Sequence, residues 1–277
     1  MIFNDWILLI YDKLPRVIQR LIQKIFDLFK LKKWKKIHTT HEGIAYDLDL
    51  GELIDNSIYN FWFFERATHN AIKKLVKENM YCLDIWANIG AHTLTMAKLV
   101  WENWKVIAFE PMKWAFKKLS RNCKLNSFKN IQLNNIWLSD REDEFEGEFK
   151  TSWRIDGKNS VIEKQTIALK TLDDFVRENN INQIDFIKLD IDWYEYKMLS
   201  WWKKSIKKFK PIILFELWEY TLRAVWDSAK ELVDLLEDLG YSFFNEENFE
   251  KYESNSKLLF SIPKNATINV ICSTVKL

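Results

Sequence analysis

Two patterns of apolar and polar positions divide the chain. From about residue 80 onward, short apolar runs alternate with amphipathic stretches. This is the signature of strands joined by helices in a largely parallel sheet covered on both faces. The pattern predicts strands over 81–85, 105–110, 130–136, 184–190 and 211–217, rich in β-branched and other apolar residues. Helices are predicted between them, over 91–100, 112–125, 171–179 and 194–208. A helix over 227–239 follows, then two last strands in "YSFF" and "TINVICS", separated by a polar loop around 245–257. The polar stretch 140–170 breaks the alternation and predicts a hairpin excursion. The fold class is therefore α/β, with a doubly wound, Rossmann-like sheet.

Before residue 80 the pattern changes. Ile18, Leu21, Ile22, Ile25, Phe26, Leu28 and Phe29 recur at helical spacing within the first forty residues, opposite a basic side built from Arg16, Arg20, Lys24 and the lysines of 30–36. Two readings stay open. One is an interfacial helix on an anionic membrane surface; the other is a helix packed on its own domain or on a partner. Strand-like pieces such as "GIAYDLDL" fill 41–60, and 61–79 predicts a helix leading into the core. The expected organisation is a helical, basic N-terminal extension with short strands over 1–60 and one α/β domain over 61–277.

Composition adds three constraints. A chain of 277 residues, 48% of them hydrophobic, suits one domain with a sizeable core, or a domain with an appendage. Its net charge of +2 gives no reason to expect a nucleic-acid partner. Cys82, Cys123 and Cys272 form neither a metal-ligand pattern nor a disulfide framework, so a cytoplasmic location is expected. No apolar run is long enough to span a membrane, and no secretory leader is expected. Glycine is the anomaly. The 6 Gly are accompanied by 14 Trp, and reading every Trp as Gly restores the ~7% that glycine ordinarily takes.

The candidate chemistry lies in "LDIWANIG", residues 83–90. A loop between a strand and a helix N-terminus offers backbone N–H groups to an anionic or carboxylate-bearing ligand. Close approach there needs residues without a Cβ, a need that Gly90 meets and Trp86 does not. Glu110 closes the next strand in "VIAFEP", where an acid is placed to accept hydrogen bonds from ribose hydroxyls.

These residues resemble the FkbM-type S-adenosylmethionine-dependent methyltransferases. That family runs a strand into Asp-x-Gly-Ala-Asn-x-Gly, follows the second strand with Phe-Glu-Pro, and continues with Leu-Ser-Asp, Thr-Leu-Asp and Lys-x-Asp-x-Glu-Gly-x-Glu. Here the corresponding segments are "LDIWANIG", "FEP" (109–111), "LSD" (138–140), "TLDDF" (171–175) and "KLDIDWYEYKML" (188–199). The resemblance covers about residues 60–220 and implies a mostly parallel sheet with an antiparallel last strand. It also implies that Asp84, Ala87, Asn88 and Gly90 surround the methionine and ribose parts of S-adenosyl-L-methionine, where the Trp86 indole would need space, with Glu110 on the ribose hydroxyls and Asp140 near the adenine amino group; His92, at the helix start beside the loop, is a further candidate to line the pocket. For His92 the competing reading is a plain helix-start residue; for Asp140 it is a turn or cap.

Two departures stand out. Asp192 replaces the family's usual Glu, and Trp86 and Trp193 both occupy family glycine positions. Trp137 and Trp201 also sit where glycine is common, and Trp101 and Trp104 fall in a stretch that reads as a turn. Three explanations compete: a pseudoenzyme whose pocket is filled with indoles, a lineage with a rebuilt pocket, or a gene that reads UGA as glycine and has been translated with UGA as tryptophan. Drift would scatter many residue types over such positions, so the recurrence of one type favours the third.

By the rule that ligands collect beyond the carboxyl ends of strands, Asp190 is the first candidate for general base or acceptor anchor. Glu195 is the second and Glu216 the third, each with helix capping or pairing with lysine as the alternative role. No metal is expected. The resemblance implies methyl transfer to an oxygen, on a sugar or secondary-metabolite hydroxyl, with no nucleic acid as partner and with membrane contact, if any, through residues 1–36. The alternatives are an RNA or protein methyltransferase and an inactive methyltransferase fold serving as a scaffold or membrane-associated interaction module.

Overall fold

The computed structural model describes residues 36–101, 104–150, 154–155, 162–191, 194–264 and 266–277. The basic amphipathic segment, Asp192 and Trp193 lie outside the described residues. The described chain opens with a hairpin, β1 (Lys36–His41) and β2 (Ile44–Asp49). Two helices follow, α1 (Leu53–Phe61) and α2 (Arg66–Leu75). Next come β3 (Cys82–Ile85), α3 (Ala91–Val100), β4 (Val106–Phe109), α4 (Lys113–Leu125) and β5 (Ile131–Asn134). The excursion is β6 (Trp137–Leu138), β7 (Asp143–Lys150) and β8 (Ile162–Lys170). The second half continues with α5 (Leu172–Glu178), β9 (Phe186–Leu189), α6 (Glu195–Trp201), α7 (Lys203–Phe209) and β10 (Ile212–Leu217). Last are α8 (Glu219–Ala224), α9 (Ala229–Asp238), β11 (Ser242–Asn245), α10 (Asn255–Ser261) and β12 (Ile268–Ser273).

Seven strands form one sheet in the order β11-β12-β10-β9-β3-β4-β5, and β12 alone runs antiparallel to its neighbours. This is the doubly wound sheet with an antiparallel last strand that the sequence implies. Every residue of β3, β4 and β9 is buried, as central parallel strands covered on both faces require. The chain travels outward through β4 and β5, then returns to add β9 on the other side of β3. That reversal leaves a crevice above the carboxyl ends of β3 and β9, where such folds bind their ligands. The 140–170 excursion is a hairpin, with β7 antiparallel to β8 and β6 added parallel to β8.

Several boundaries differ from the sequence reading, each for a local reason. The helix expected over 61–79 is α2, confined to Arg66–Leu75, and a further helix, α1, forms over Leu53–Phe61, where only strand-like pieces were expected; Trp62 (φ 75°) and Glu65 (φ 49°), in the left-handed region that ends a helix, separate the two. The helix expected over 194–208 breaks at Trp202, whose fully buried indole donates from Nε1 to the Ser139 carbonyl at 3.2 Å. The polar loop expected around 245–257 gives way to α10, because Ser254 accepts the Lys257 N–H as an N-cap.

The segment ahead of α2 packs on the sheet domain. Ile44, Tyr46, Leu48 and Ile58 join Ile89, Ala91 and Leu94 in one cluster. Asn122 on α4 accepts the Asp47 N–H at 2.9 Å and donates to the Ile89 carbonyl at 2.9 Å, tying the hairpin to the loop after β3. Buried Asp55 pairs with Lys118 beside it. The motif residues of 171–175 hold helices: Thr171 caps α5 through the Asp174 N–H, and Asp173 accepts both the N–H and the hydroxyl of Ser205. No described helix is long and apolar enough to cross a membrane.

Candidate active site

The loop 86–90 turns sharply off the end of β3. The N–H groups of Trp86 and Ala87 both donate to the Phe109 carbonyl at 2.9 Å, folding the loop back over the end of β4. Left-handed backbone is used three times within five residues, at Trp86 (φ 68°), Asn88 (φ 49°) and Gly90 (φ 92°). Asparagine tolerates this region and glycine is indifferent to it, whereas a bulky aromatic residue is strained there. Gly90 is doubly constrained, since a Cβ on it would stand 2.7 Å from Leu119 Cδ1.

Two acids lie under the loop. Asp84 is fully buried; its Oδ2 accepts the Thr93 hydroxyl at 2.5 Å, and its Oδ1 has no hydrogen-bond partner. Glu110 accepts the Asn88 N–H on Oε2 and the Met112 N–H on Oε1, both at 2.8 Å. Burial pushes the Glu110 carboxyl up to about 7, against the opposing effect of those two N–H donors. The acid at 110 therefore faces the loop, as expected from the sequence.

A cavity of about 240 Å³ opens beside them. Trp86, Ala87, Asn88, His92, Lys188, Asp190 and Glu216 line it together with Phe64 and Glu65. Lys188, 4% exposed within β9, places its Nζ 2.8 Å from Asp190 Oδ2. Burial alone would raise the Asp190 carboxyl, but the Lys188 ammonium outweighs it and, with a hydrogen bond from Glu216, holds it below the usual range. Burial would likewise lower the lysine, and the carboxylates of Asp190, Asp84 and Glu65 more than compensate. His92, 5% exposed, has no hydrogen bond on either ring nitrogen, and its Nε2 stands 3.5 Å from Glu65 Oε2.

The structure thus brings Asp190, Glu216 and His92 to one cavity with the loop. Glu195 is placed otherwise: buried at the start of α6, it accepts the Ile191 N–H at 3.2 Å. Asp140 follows β6, where it accepts the Ser139 hydroxyl at 3.0 Å and pairs with Arg141 at 3.2 Å; it is not among the residues lining the cavity. No described residues form a group of three or more side chains able to hold a metal ion. Lys188 and Glu65 were given no role by the sequence reading. A lysine inside an otherwise apolar strand, "FIKLD", is the signal that identifies the first. Nothing local marks Glu65, which reaches the cavity only through the break between α1 and α2.

The unpartnered Asp84 oxygen is a polar group that a donor on a cofactor would satisfy; the Glu110 carboxyl already accepts two backbone N–H groups, and neither residue lines the cavity. The Trp86 indole stacks edge-to-face on Trp137 at 5.3 Å, and Trp137 meets Tyr194 at 5.8 Å.

The fold is that of a Rossmann-like α/β domain. The chain belongs to the FkbM methyltransferase family, whose Methyltransferase FkbM domain model matches residues 84–243. Among solved structures it is similar to methyltransferase FkbM from Methylobacillus flagellatus KT, at 16% identity over 70% of this chain and 43% of that one, with a TM-score of 0.44. It is similar also to an rRNA methylase from Streptococcus thermophilus, at 14% identity over 74% of this chain and 93% of that one, TM-score 0.44. A third is M. jannaschii TYW2 in complex with AdoMet, at 16% identity over 87% of this chain and 85% of that one, TM-score 0.42. No curated protein matches the chain.

Proposed function

We propose that this protein is an S-adenosyl-L-methionine-dependent O-methyltransferase whose acceptor is a sugar or secondary-metabolite hydroxyl. The chemistry such a cofactor supplies when bound is an electrophilic methyl group on a sulfonium. Asp84 and Glu110 hold its ammonium and ribose. Asp190 receives the proton of the acceptor hydroxyl, and Lys188 keeps that carboxyl ionised and ready to accept it. Glu216 and His92 orient the acceptor from either side, while Glu195 keeps the turn after β9 in place.

The observation that carries this reading is the ionised Asp190 at the carboxyl end of β9, opening on the same cavity as the loop that follows β3. Isothermal titration with S-adenosylhomocysteine, on the chain as translated and on W86G, tests it. W86G is expected to bind and to methylate a hydroxyl acceptor in a D190N-sensitive manner. Absence of binding in both chains removes the cofactor assignment.

One observation favours a second reading, an inactive methyltransferase fold kept as a scaffold or interaction module: the indole of Trp86, in the loop after β3, lines the cavity and packs on Trp137. The same titration separates the two, since a scaffold gains no cofactor affinity from W86G.

A further inference from the structure

We propose that the cavity framed by Phe64, Glu65, His92, Lys188, Asp190 and Glu216 is the acceptor subsite, and that its surplus of carboxylates selects an uncharged polyhydroxy ring over any acceptor bearing a phosphate or carboxylate. This deepens the methyl-transfer reading and rests on it for the role of the subsite, though not for the selectivity itself. Three acids line the cavity against one lysine; Glu216 gives its proton to the hydrogen bond with Asp190, so the charge contrast rests on Glu65 and Asp190. That lysine is already committed, 2.8 Å from Asp190, so no uncompensated cation is left to meet an anion.

Ionised carboxylates accept hydrogen bonds and give none, so they suit a ligand rich in O–H donors. An anionic ligand meets them with like charge in a site partly withdrawn from water, where the repulsion is least screened. His92 points independently to a polar ligand. It is buried beside the cavity with both ring nitrogens lacking a hydrogen bond, a state that two separate hydroxyls relieve, one donating to the unprotonated nitrogen and one accepting from the protonated nitrogen. Phe64 supplies an apolar ring face beside His92, their centroids 6.1 Å apart, against which the C–H face of a sugar packs.

Saturation-transfer NMR on the chain as translated tests the selectivity without cofactor. The probes are the methyl glycosides of glucose, galactose and mannose, and of the corresponding uronic acids. At least one neutral glycoside is expected to bind tenfold or more tightly than its uronate. Equal or tighter binding of the uronates overturns the proposal, and so does absence of binding by all six. Glu65→Gln, checked for folding by near-ultraviolet circular dichroism, is expected to narrow the discrimination several-fold; unchanged discrimination in the folded variant overturns the charge argument. Failure of the methyl-transfer reading is distinguishable, since it is read by S-adenosylhomocysteine titration of W86G, which does not depend on the glycosides.

A separate observation carries a second inference: positions 62, 86, 101 and 226 are glycine in the protein the cell makes. Trp62, Trp86, Trp101 and Trp226 all have φ between 66° and 75°, in the left-handed region that glycine favours and bulky residues avoid. Trp62 and Trp101 are helix C-caps, the position glycine takes most often. Trp226 is 94% exposed and packs on almost nothing. Trp202 is the internal contrast, fully buried with its Nε1 hydrogen-bonded. The nucleotide sequence and the masses of peptides from source cells test this. Expected are UGA codons and glycine masses at the four positions, with UGG at 202; UGG, or a tryptophan mass, at any of the four overturns the inference for the set.

Discussion

Lys188 Nζ lies 2.8 Å from Asp190 Oδ2, with the lysine buried in the centre of β9 and the aspartate one residue past its end. The pair lets a single strand carry both the charge and the counter-charge of the site. Replacing Lys188 by Met is expected to cost about 3 kcal/mol, because a partly buried carboxylate is left without its cation. The double variant K188M/D190L should recover most of that loss, since an apolar pair needs no compensation. Urea unfolding midpoints of the two variants check this.

Asp190→Asn keeps the shape of the side chain and removes its proton-accepting capacity. Measured on W86G, kcat should fall by roughly 10²-fold or more. The affinity for S-adenosylhomocysteine should stay within about threefold, well under the ~1.4 kcal/mol of a tenfold change. A parallel loss of cofactor affinity would mean that Asp190 shapes the pocket and does not take part in proton transfer.

Trp226→Gly and Trp202→Ala are expected to move stability in opposite directions. Relief of left-handed strain at an exposed residue should stabilise by about 1 kcal/mol, net of glycine's entropy. Truncation of the buried Trp202 should cost about 3–5 kcal/mol, through the cavity and the orphaned Ser139 carbonyl. Thermal melts of both variants decide it.

Glu110 makes stability depend on pH. Burial raises its folded pKa to about 7, above the ordinary value of 4.5. Between those two values the folded state holds the proton more tightly than the unfolded chain, so stability falls as pH rises through the window. Glu110→Gln lacks this contribution. Relative to the unmodified chain, its urea midpoint should therefore rise steadily from pH 5 to pH 7. The Glu246 carboxyl, also raised to about 7 chiefly by burial, acts in the same window and is common to both proteins.

The order of the sheet elements, the hairpin excursion and the cofactor loop were all legible along the chain. Buried parallel strands write themselves as short apolar runs, and a loop that must pass under a ligand writes itself as small and polar residues beside Gly90. Asp190, Glu216, His92 and Glu110 were legible for the same reason: each sits at the end of a predicted strand or the start of a predicted helix, and such ends converge in this topology. Tertiary structure alone decided the rest. It brought Glu65 to His92 through a helix break that depends on two left-handed residues, turned Glu195 inward onto the Ile191 backbone, and left Asp140 outside the cavity lining. It also separated tryptophans that pack, such as Trp202, from those that merely occupy a left-handed turn. Sequence spacing records which face a residue shares with its neighbours. It does not record φ, or which distant element closes over that face, and those two quantities determine the shape of this pocket.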